Sequence, residues 1–528
     1  MPGVRRSPLV RFITMGCAKN EVDTDNMCAA LEASGFSVEK APAVGDFDPF
    51  ESDPDVVVVN TCSFITEATQ ESVDAVLAVV AGREDLAEAS DGNYEGPAIV
   101  VTGCMPSRYG KDLAEQIPEV DAFVNVKDET GIVEVVCDVV SRRRGSLAEE
   151  AEGSAGYRAN AEPAGLAGPE GTQGDASVRD GAGAPGHSDA DTFGGMDAGI
   201  KSRTGDQQPF AYVKISDGCN RMCSFCTIPF IRGRYESRPP QEIISEVGYL
   251  VSRGVREIVL IGQDTGVWGD DLSSSESFPL PSPTLANLMG YLAEKFPTTW
   301  FRVMYLQPER VSDELLITMR DHENICNYLD VPLQHCSAEV IANMNRKGSG
   351  PEYLKMLEHA RETVPGITLR TTMISGFPGE TDEQAAELVE FLDEADFDFA
   401  GVFVYSREDG TVAGNRTDQV PEEVALERAQ EARDMAEACG ERRAFERVGK
   451  VYDVLVCGFD EDADVESDLG DDQQDGEPNA NAWGRAMFQA PDVDSVITFS
   501  APRSSLGEIV PVKITGAIGY DLEGEIQR

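Results

Sequence analysis

The stretch FAYVKISDGCNRMCSFC at residues 210–226 sets the reading of the whole chain. Residues 210–215 carry the β-branched and aromatic side chains of a buried strand, and the Ser-Asp-Gly that follows ends it. The next loop holds Cys219, Cys223 and Cys226 in a C-x3-C-x2-C spacing. Three thiolates so spaced can wrap one corner of a cubane and hold three of its four irons, which leaves the fourth open to a non-protein ligand. A structural zinc normally takes four protein ligands and fits the triplet badly. The four histidines, His187, His322, His335 and His359, lie far apart in sequence, so histidine-pair zinc sites are disfavoured as well. The bland alternative is three loop cysteines without a metal, an uncommon fate for thiolates crowded into one loop.

Working outward, strand signals recur at 257–261, 301–306, 328–333, 367–374 and 397–405, with helical stretches such as 241–252, 352–363 and 382–394 between them. Six β/α units predict an open, partial (β/α)6 barrel of the TIM type rather than a closed eight-stranded one. Upstream, strands at 10–15, 56–59 and 99–102 alternate with helices such as 67–80, the pattern of a parallel α/β sheet with helices on both faces. Between these regions, residues 146–208 carry 13 Gly, 12 Ala and 3 Pro, too little apolar surface to offset ordering entropy, and read as a flexible linker or insert. Downstream, a helix over 421–448 leads to strand signals at 451–457, 496–499 and 509–514, a small antiparallel barrel. An acidic run at 460–477 inside it reads as a solvated loop. The predicted division is thus 8–145, 146–208, 209–447 and 448–528.

With 94 acidic against 44 basic residues the formal charge is −50, and −33 without the two atypical stretches. Such a surface repels phosphate backbones and suits a basic protein partner. No apolar run is long enough to span a bilayer. The start, MPGVRRSPLVRFITMG, lacks the apolar core of a secretory signal. Twelve cysteines in 528 residues are too few for a disulfide scaffold. These readings predict a cytoplasmic protein without a membrane segment.

A second constellation is less local. Cys17, Cys62 and Cys104 each follow a predicted parallel strand, at the carboxyl edge where ligands of open α/β sheets converge. They could hold a second cluster; the alternative is three buried core cysteines. Polar segments also follow the barrel strands, where β/α barrels build active sites: Gln263-Asp264-Thr265, Gln307, Gln334-His335, Gly376-Phe-Pro-Gly379-Glu380 and Ser406-Arg407. Turns that merely cap helices are the plain alternative.

SDGCNRMCSFCTIPFIRGR (216–234) resembles the radical S-adenosylmethionine superfamily, in which the open iron chelates S-adenosylmethionine and one electron cleaves it to a 5′-deoxyadenosyl radical. MGCAKNEVDTD (15–25), NTCSFITEATQES (60–72) and TGCMP (102–106) resemble the amino-terminal domain of the methylthiotransferases, and the C-terminal piece resembles their substrate-presenting TRAM domain. The resemblance implies two 4Fe–4S clusters, one on Cys219, Cys223 and Cys226 and an auxiliary one on Cys17, Cys62 and Cys104. It implies S-adenosylmethionine at the barrel mouth, with Phe225, Gln263, Gly376, Gly379 and Glu380 as contacts, and a low-potential electron donor such as flavodoxin or ferredoxin. MGCAKN, IGQDTGVWG (261–269), LDVPLQHCS (329–337) and VFVYSREDGTVA (402–413) look like the ribosomal-protein branch. Those enzymes methylthiolate the β-carbon of an aspartate in ribosomal protein uS12 of the small subunit. The tRNA-adenosine branch is the first rival and a non-catalytic iron–sulfur ribosome-binding scaffold the second; the acidic surface makes tRNA an unfavoured partner. Ala18, Cys336 and the run GRAMFQAPDVD (484–494) depart from that branch's usual residues, and the last leaves the grip on substrate unassigned.

Overall fold

The computed structural model describes residues 6–41, 48–89, 96–146, 156–157, 208–273, 276, 278–460 and 479–527. The stretches expected to be a linker (146–208) and an acidic loop (460–477) lie almost wholly outside these residues. The described residues form two compact units, one from 6–16, 23–62 and 70–157, the other from 17–22, 63–69 and 208–527, where described.

The first unit is a parallel sheet in the order β2-β1-β3-β4-β5-β6. Its strands are β1 (Leu9–Thr14), β2 (Ser37–Lys40), β3 (Val56–Thr61), β4 (Ala98–Gly103), β5 (Ala122–Asn125) and β6 (Gly156–Tyr157). The run VVVVNT is buried throughout because both faces are covered. Val56 and Val58 pack with Met27 and Leu31 of α1 (Ala18–Ala33) and with Val136 and Val139 of α4 (Ile132–Ser146). Val57 and Val59 point the other way, to Val76 and Val79 of α2 (Thr66–Ala89) and Leu113 of α3 (Cys104–Gln116). The period of two thus feeds two cores, one on each face.

In the second unit six parallel strands run in chain order, β7 (Phe210–Lys214), β10 (Glu257–Ile261) and β11 (Trp300–Val303) in one sheet, β12 (Tyr328–Asp330), β13 (Thr368–Ser375) and β14 (Phe399–Val404) in the next. A bridge from Phe301 to Ile325 joins the halves. A two-residue pair, β8 (Ser216–Asp217) with β9 (Glu236–Ser237), brackets the cysteine loop. Helices such as Pro240–Ser252 and Leu285–Lys295 cover the outside through Ile243, Val247, Leu288 and Leu292.

Helix Glu422–Phe445 leads to β15 (Val451–Phe459), β16 (Asn479–Ala486), β17 (Ile497–Pro502), β18 (Ile509–Ile518) and β19 (Asp521–Ile526), which close into a barrel. The expected all-antiparallel pairing needs one correction: β17 and β19 run parallel, so the closure is mixed. Sequence reading missed β16 and β19. NANAWGRA and DLEGEI carry few large apolar side chains, and their pairing comes from neighbours rather than from their own pattern.

The run GRAMFQAPDVD has a structural task. Arg485 inserts between the strand starts of the β/α barrel, where its Nη2 meets Glu257 Oε2 at 2.7 Å; Arg302 Nε meets Oε1 of the same carboxylate at 2.8 Å. Glu257 and Arg302 have no side-chain exposure. Burial alone would raise the Glu257 carboxyl, but Arg485 and Arg302 outweigh it and hold it below its ordinary value. Arg302 also donates to the Met487 carbonyl, and the Tyr328 hydroxyl donates to Asp494 at 2.6 Å.

Candidate functional site

The triplet loop leaves the carboxyl end of β7 through Gly218, whose φ is 71° and where a Cβ would lie 2.1 Å from the Arg234 carbonyl oxygen. Only glycine fits that approach. The loop is then pinned from several sides. Cys219 N–H donates to the Gly233 carbonyl, Ser224 N–H to Met344, and Ala413 N–H to the Ser224 carbonyl. The Ser224 hydroxyl donates to the Asn343 carbonyl at 2.8 Å, and Asn345 Nδ2 to the Met222 carbonyl at 2.8 Å. Arg221, inside the first cysteine interval, pairs with both Asp264 and Glu309 and so ties the loop to the ends of β10 and β11.

Cys226 lies within electrostatic reach of Cys219 and Cys223. Burial pushes the Cys226 thiol up to about 12 and raises Cys219. A metal therefore has to displace protons to bind here. Among the described residues, no three Cys, His, Asp or Glu side chains converge as they stand on a point that would hold one ion. A cubane asks for a wider triangle, one thiolate per iron, with further donors pointing at the sulfurs. The backbone N–H of Arg221 toward Cys219 and of Ile228 toward Cys226 supplies such donors. The triplet fits a cluster better than a single ion.

Gln263 follows β10, and both its Oε1 and Nε2 are buried without a hydrogen-bond partner. Gln307 Oε1, Asp264 Oδ1 and Ser375 Oγ share that state at the ends of neighbouring strands. Buried polar groups are rarely left unpaired. Several of them at one barrel mouth fit a polar ligand such as S-adenosylmethionine. Phe225 packs against the cluster of Val340, Met344, Phe377 and Ala413. Gly376 (φ 78°) sits where a Cβ would be 2.4 Å from Ala425 Cβ, and Gly379 (φ 82°) where it would meet Arg416 and Asp418. Glu380 is fully engaged within the protein: Oε2 accepts the Gly376 N–H at 2.9 Å and Oε1 meets Arg428 Nη1 at 3.1 Å. Thr381 and Gln384 form a reciprocal capping box just beyond it and start helix Asp382–Ala395. His335 is wholly buried, with Nδ1 accepting the Ser337 N–H and Nε2 3.4 Å from Glu380 Oε2. Sequence reasoning did not single out Arg221 or Arg428. Arg221's place between two ligand-spaced cysteines was the available signal; Arg428 had none.

In the first unit β1, β3 and β4 are adjacent, with Thr14 opposite Asn60 and Thr61 opposite Gly103. The register puts Cys62 and Cys104 at neighbouring positions one step past the edge, both buried. Ser72 Oγ accepts the Cys62 N–H at 3.0 Å and donates to its carbonyl at 2.8 Å. Gly103 (φ 95°) lets β3 and β4 close up, since a Cβ there would be 2.4 Å from the Thr61 carbonyl oxygen. Cys17 follows β1 by three residues and is exposed; its carbonyl accepts the N–H of Asn20 and Glu21, opening α1. Of the cysteines outside the two triplets, Cys28, Cys326, Cys336, Cys439 and Cys457 are buried, while Cys137 is exposed.

Residues 213–392 match the Radical SAM superfamily, 9–125 the uncharacterized protein family UPF0004 and 448–526 the TRAM domain. A solved structure of the radical S-adenosylmethionine methyltransferase TsrM from Kitasatospora setae has a TM-score of 0.50 and 18% identity, covering 78% of this chain and 74% of that one, a likeness of fold. Fold and cysteine loop together define a radical S-adenosylmethionine enzyme. Ribosomal protein uS12 methylthiotransferase RimO of Symbiobacterium thermophilum is 36% identical over 99% of this chain and 93% of its own. That of Trichlorobacter lovleyi is 34% identical over 98% of both. The chain belongs to the RimO family of methylthiotransferases.

Proposed function

We propose that this protein adds a methylthio group to the β-carbon of an aspartate in ribosomal protein uS12, using S-adenosylmethionine and two 4Fe–4S clusters. The observation that carries the reading is the cysteine triplet after β7, with the unpartnered amide of Gln263 following the adjacent strand β10. Cys219, Cys223 and Cys226 would hold one cluster, Cys17, Cys62 and Cys104 the other. Bound together, these groups supply what no side chain has: one-electron chemistry able to take hydrogen from an unactivated carbon, and the sulfur and methyl that replace it.

The chain's own residues position the parts. Gly218 and Arg221 fix the triplet loop against the ends of β10 and β11. Gln263, Gln307 and Ser375 offer hydrogen bonds to a polar ligand in the mouth. Glu380 braces the Gly376 turn through its N–H and reaches such a ligand only indirectly, through that turn. A low-potential donor of the flavodoxin or ferredoxin kind would deliver the electron. Among the described residues no helix is long and apolar enough to cross a membrane.

Intact-mass analysis of small-subunit proteins from cells with and without the gene tests the reading. The expected result is one methylthio group in place of one hydrogen on uS12, present only with the gene. Unchanged uS12 with a methylthioadenosine missing from tRNA would move the function to the tRNA branch. No change in either, with no turnover of S-adenosylmethionine on reduction, would leave the scaffold reading.

A further inference from the structure

Where the C-terminal barrel meets β7, residues Phe210, Trp483, Arg485, Pro491, Asp492 and Val496 line a half-open cavity of about 310 Å³. That is the low end of the range for ligand pockets. Most charges around it are already balanced. Glu257, Asp330 and Asp494 meet Arg302, Arg370 and Arg485 at 2.7–3.3 Å. Every polar contact to Asp494 is a donor, from the Tyr328 hydroxyl, the Ala490 N–H and Arg370, which is the pattern of an ionised acid. Burial pushes its carboxyl upward, and these donors oppose that. One carboxylate is left over. Asp492 Oδ2 accepts the Tyr212 hydroxyl at 2.6 Å, and among the described residues no cation pairs with it.

The walls complete the chemistry. Arg485 covers a face of Phe210 at 4.8 Å, which leaves Trp483 as the aromatic surface open to a second cation. Pro491 and Val496 are apolar. A phosphate or carboxylate entering here would face Asp492 without a free partner, whereas a long cationic side chain finds an aromatic wall, apolar contact for its stem and an unpaired carboxylate.

We propose that this cavity is a secondary recognition site that takes one lysine or arginine side chain of the substrate protein. The inference rests on uS12 as the substrate and names where part of its affinity arises. Phe210 begins β7 and the cysteine loop follows the end of that strand, so the cavity lies at the opposite end of the strand from the reacting centre. Binding there holds ground state and transition state alike, and it lowers KM without changing kcat.

The test is Asp492→Asn in the cluster-loaded full chain, with recombinant uS12 as the probe. Asp492 is exposed and has φ 63°, a conformation asparagine adopts readily, so the variant folds. The amide oxygen still accepts the Tyr212 hydroxyl; only the charge is lost. The expected result is a KM for uS12 raised about tenfold, equivalent to about 1.4 kcal/mol. The kcat and the cleavage of S-adenosylmethionine without uS12 stay unchanged. If wild type modifies uS12 and the variant does so with the same KM, or with a lower kcat alone, the recognition site is overturned and the functional reading stands. If wild type leaves uS12 unmodified, the functional reading falls and the site with it.

Discussion

The two cysteine triplets are built in opposite ways. Cys219, Cys223 and Cys226 fall within eight residues of one loop, while Cys17, Cys62 and Cys104 spread over 88 residues and follow three different strands. The compact set depends on local backbone: one glycine at positive φ and hydrogen bonds to the segments at 343–345 and 413. The dispersed set depends on register, since a slip of β3 against β4 would move Cys62 away from Cys104. Spacing picks out the first set and position after a strand the second; what the sheet adds is the register that sets Cys62 and Cys104 at neighbouring positions.

Exchange of single residues can break this contrast. The largest effect is expected for Cys223→Ala, which should abolish reductive cleavage of S-adenosylmethionine and halve the iron bound per chain. Cys62→Ala should also halve the iron, yet spare cleavage and stop methylthiolation. Intact thiolation in that variant would end the two-cluster reading.

The paired glycine changes sharpen the comparison. Gly218→Ala and Gly103→Ala each force a Cβ to within 2.4 Å or less of a carbonyl oxygen at positive φ. Each should destabilise its own unit by about 2 kcal/mol or more. Gly218→Ala should lower cleavage, and Gly103→Ala should lower thiolation alone. Iron content and the two activities, measured side by side, check whether the effects separate.

The smallest effect concerns Asp217, next to the triplet loop. Burial would raise its carboxyl, but Lys214 and Arg232 overcome this and hold it at about 2, below its ordinary 3.8. Its stabilising contribution is therefore full above about pH 4 and fades as pH falls toward 2. The carboxylate is about one-third exposed, so screening reduces the contribution to about 1 kcal/mol. Asp217→Asn should lower the melting temperature slightly at pH 7, and the difference from wild type should vanish near pH 2. A gap that persists there would mean packing, not charge, is responsible.

Much of this molecule is legible residue by residue. The run 56–61 reads as a fully buried strand because it is apolar throughout, and six strand–helix repeats after residue 209 announce an open barrel. Cysteine spacing singles out the triplet as a candidate, and Gln263 becomes one by its place after a strand. These signals work because hydrophobic period, turn glycines and ligand spacing act within about a dozen residues of chain.

Other features came only with the tertiary structure. Glu257 and Arg302 carry no sequence signal of pairing, yet they are wholly buried together. The run 484–494, unassigned in sequence, supplies Arg485 to that pair and Asp494 to Tyr328, 166 residues away along the chain. Glu380 reads as a ligand contact, but both its oxygens are taken by Gly376 and Arg428. Sequence by itself determined the strands with a strong apolar pattern, the helices between them and the cysteine loop, because these are set by neighbours in the chain, whereas β16 and β19 needed their partner strands. Folding decided which charges pair in the dark, and that Asp492 lines the cavity with no cation on it among the described residues, because burial makes charge depend on partners that only the closed structure brings into contact.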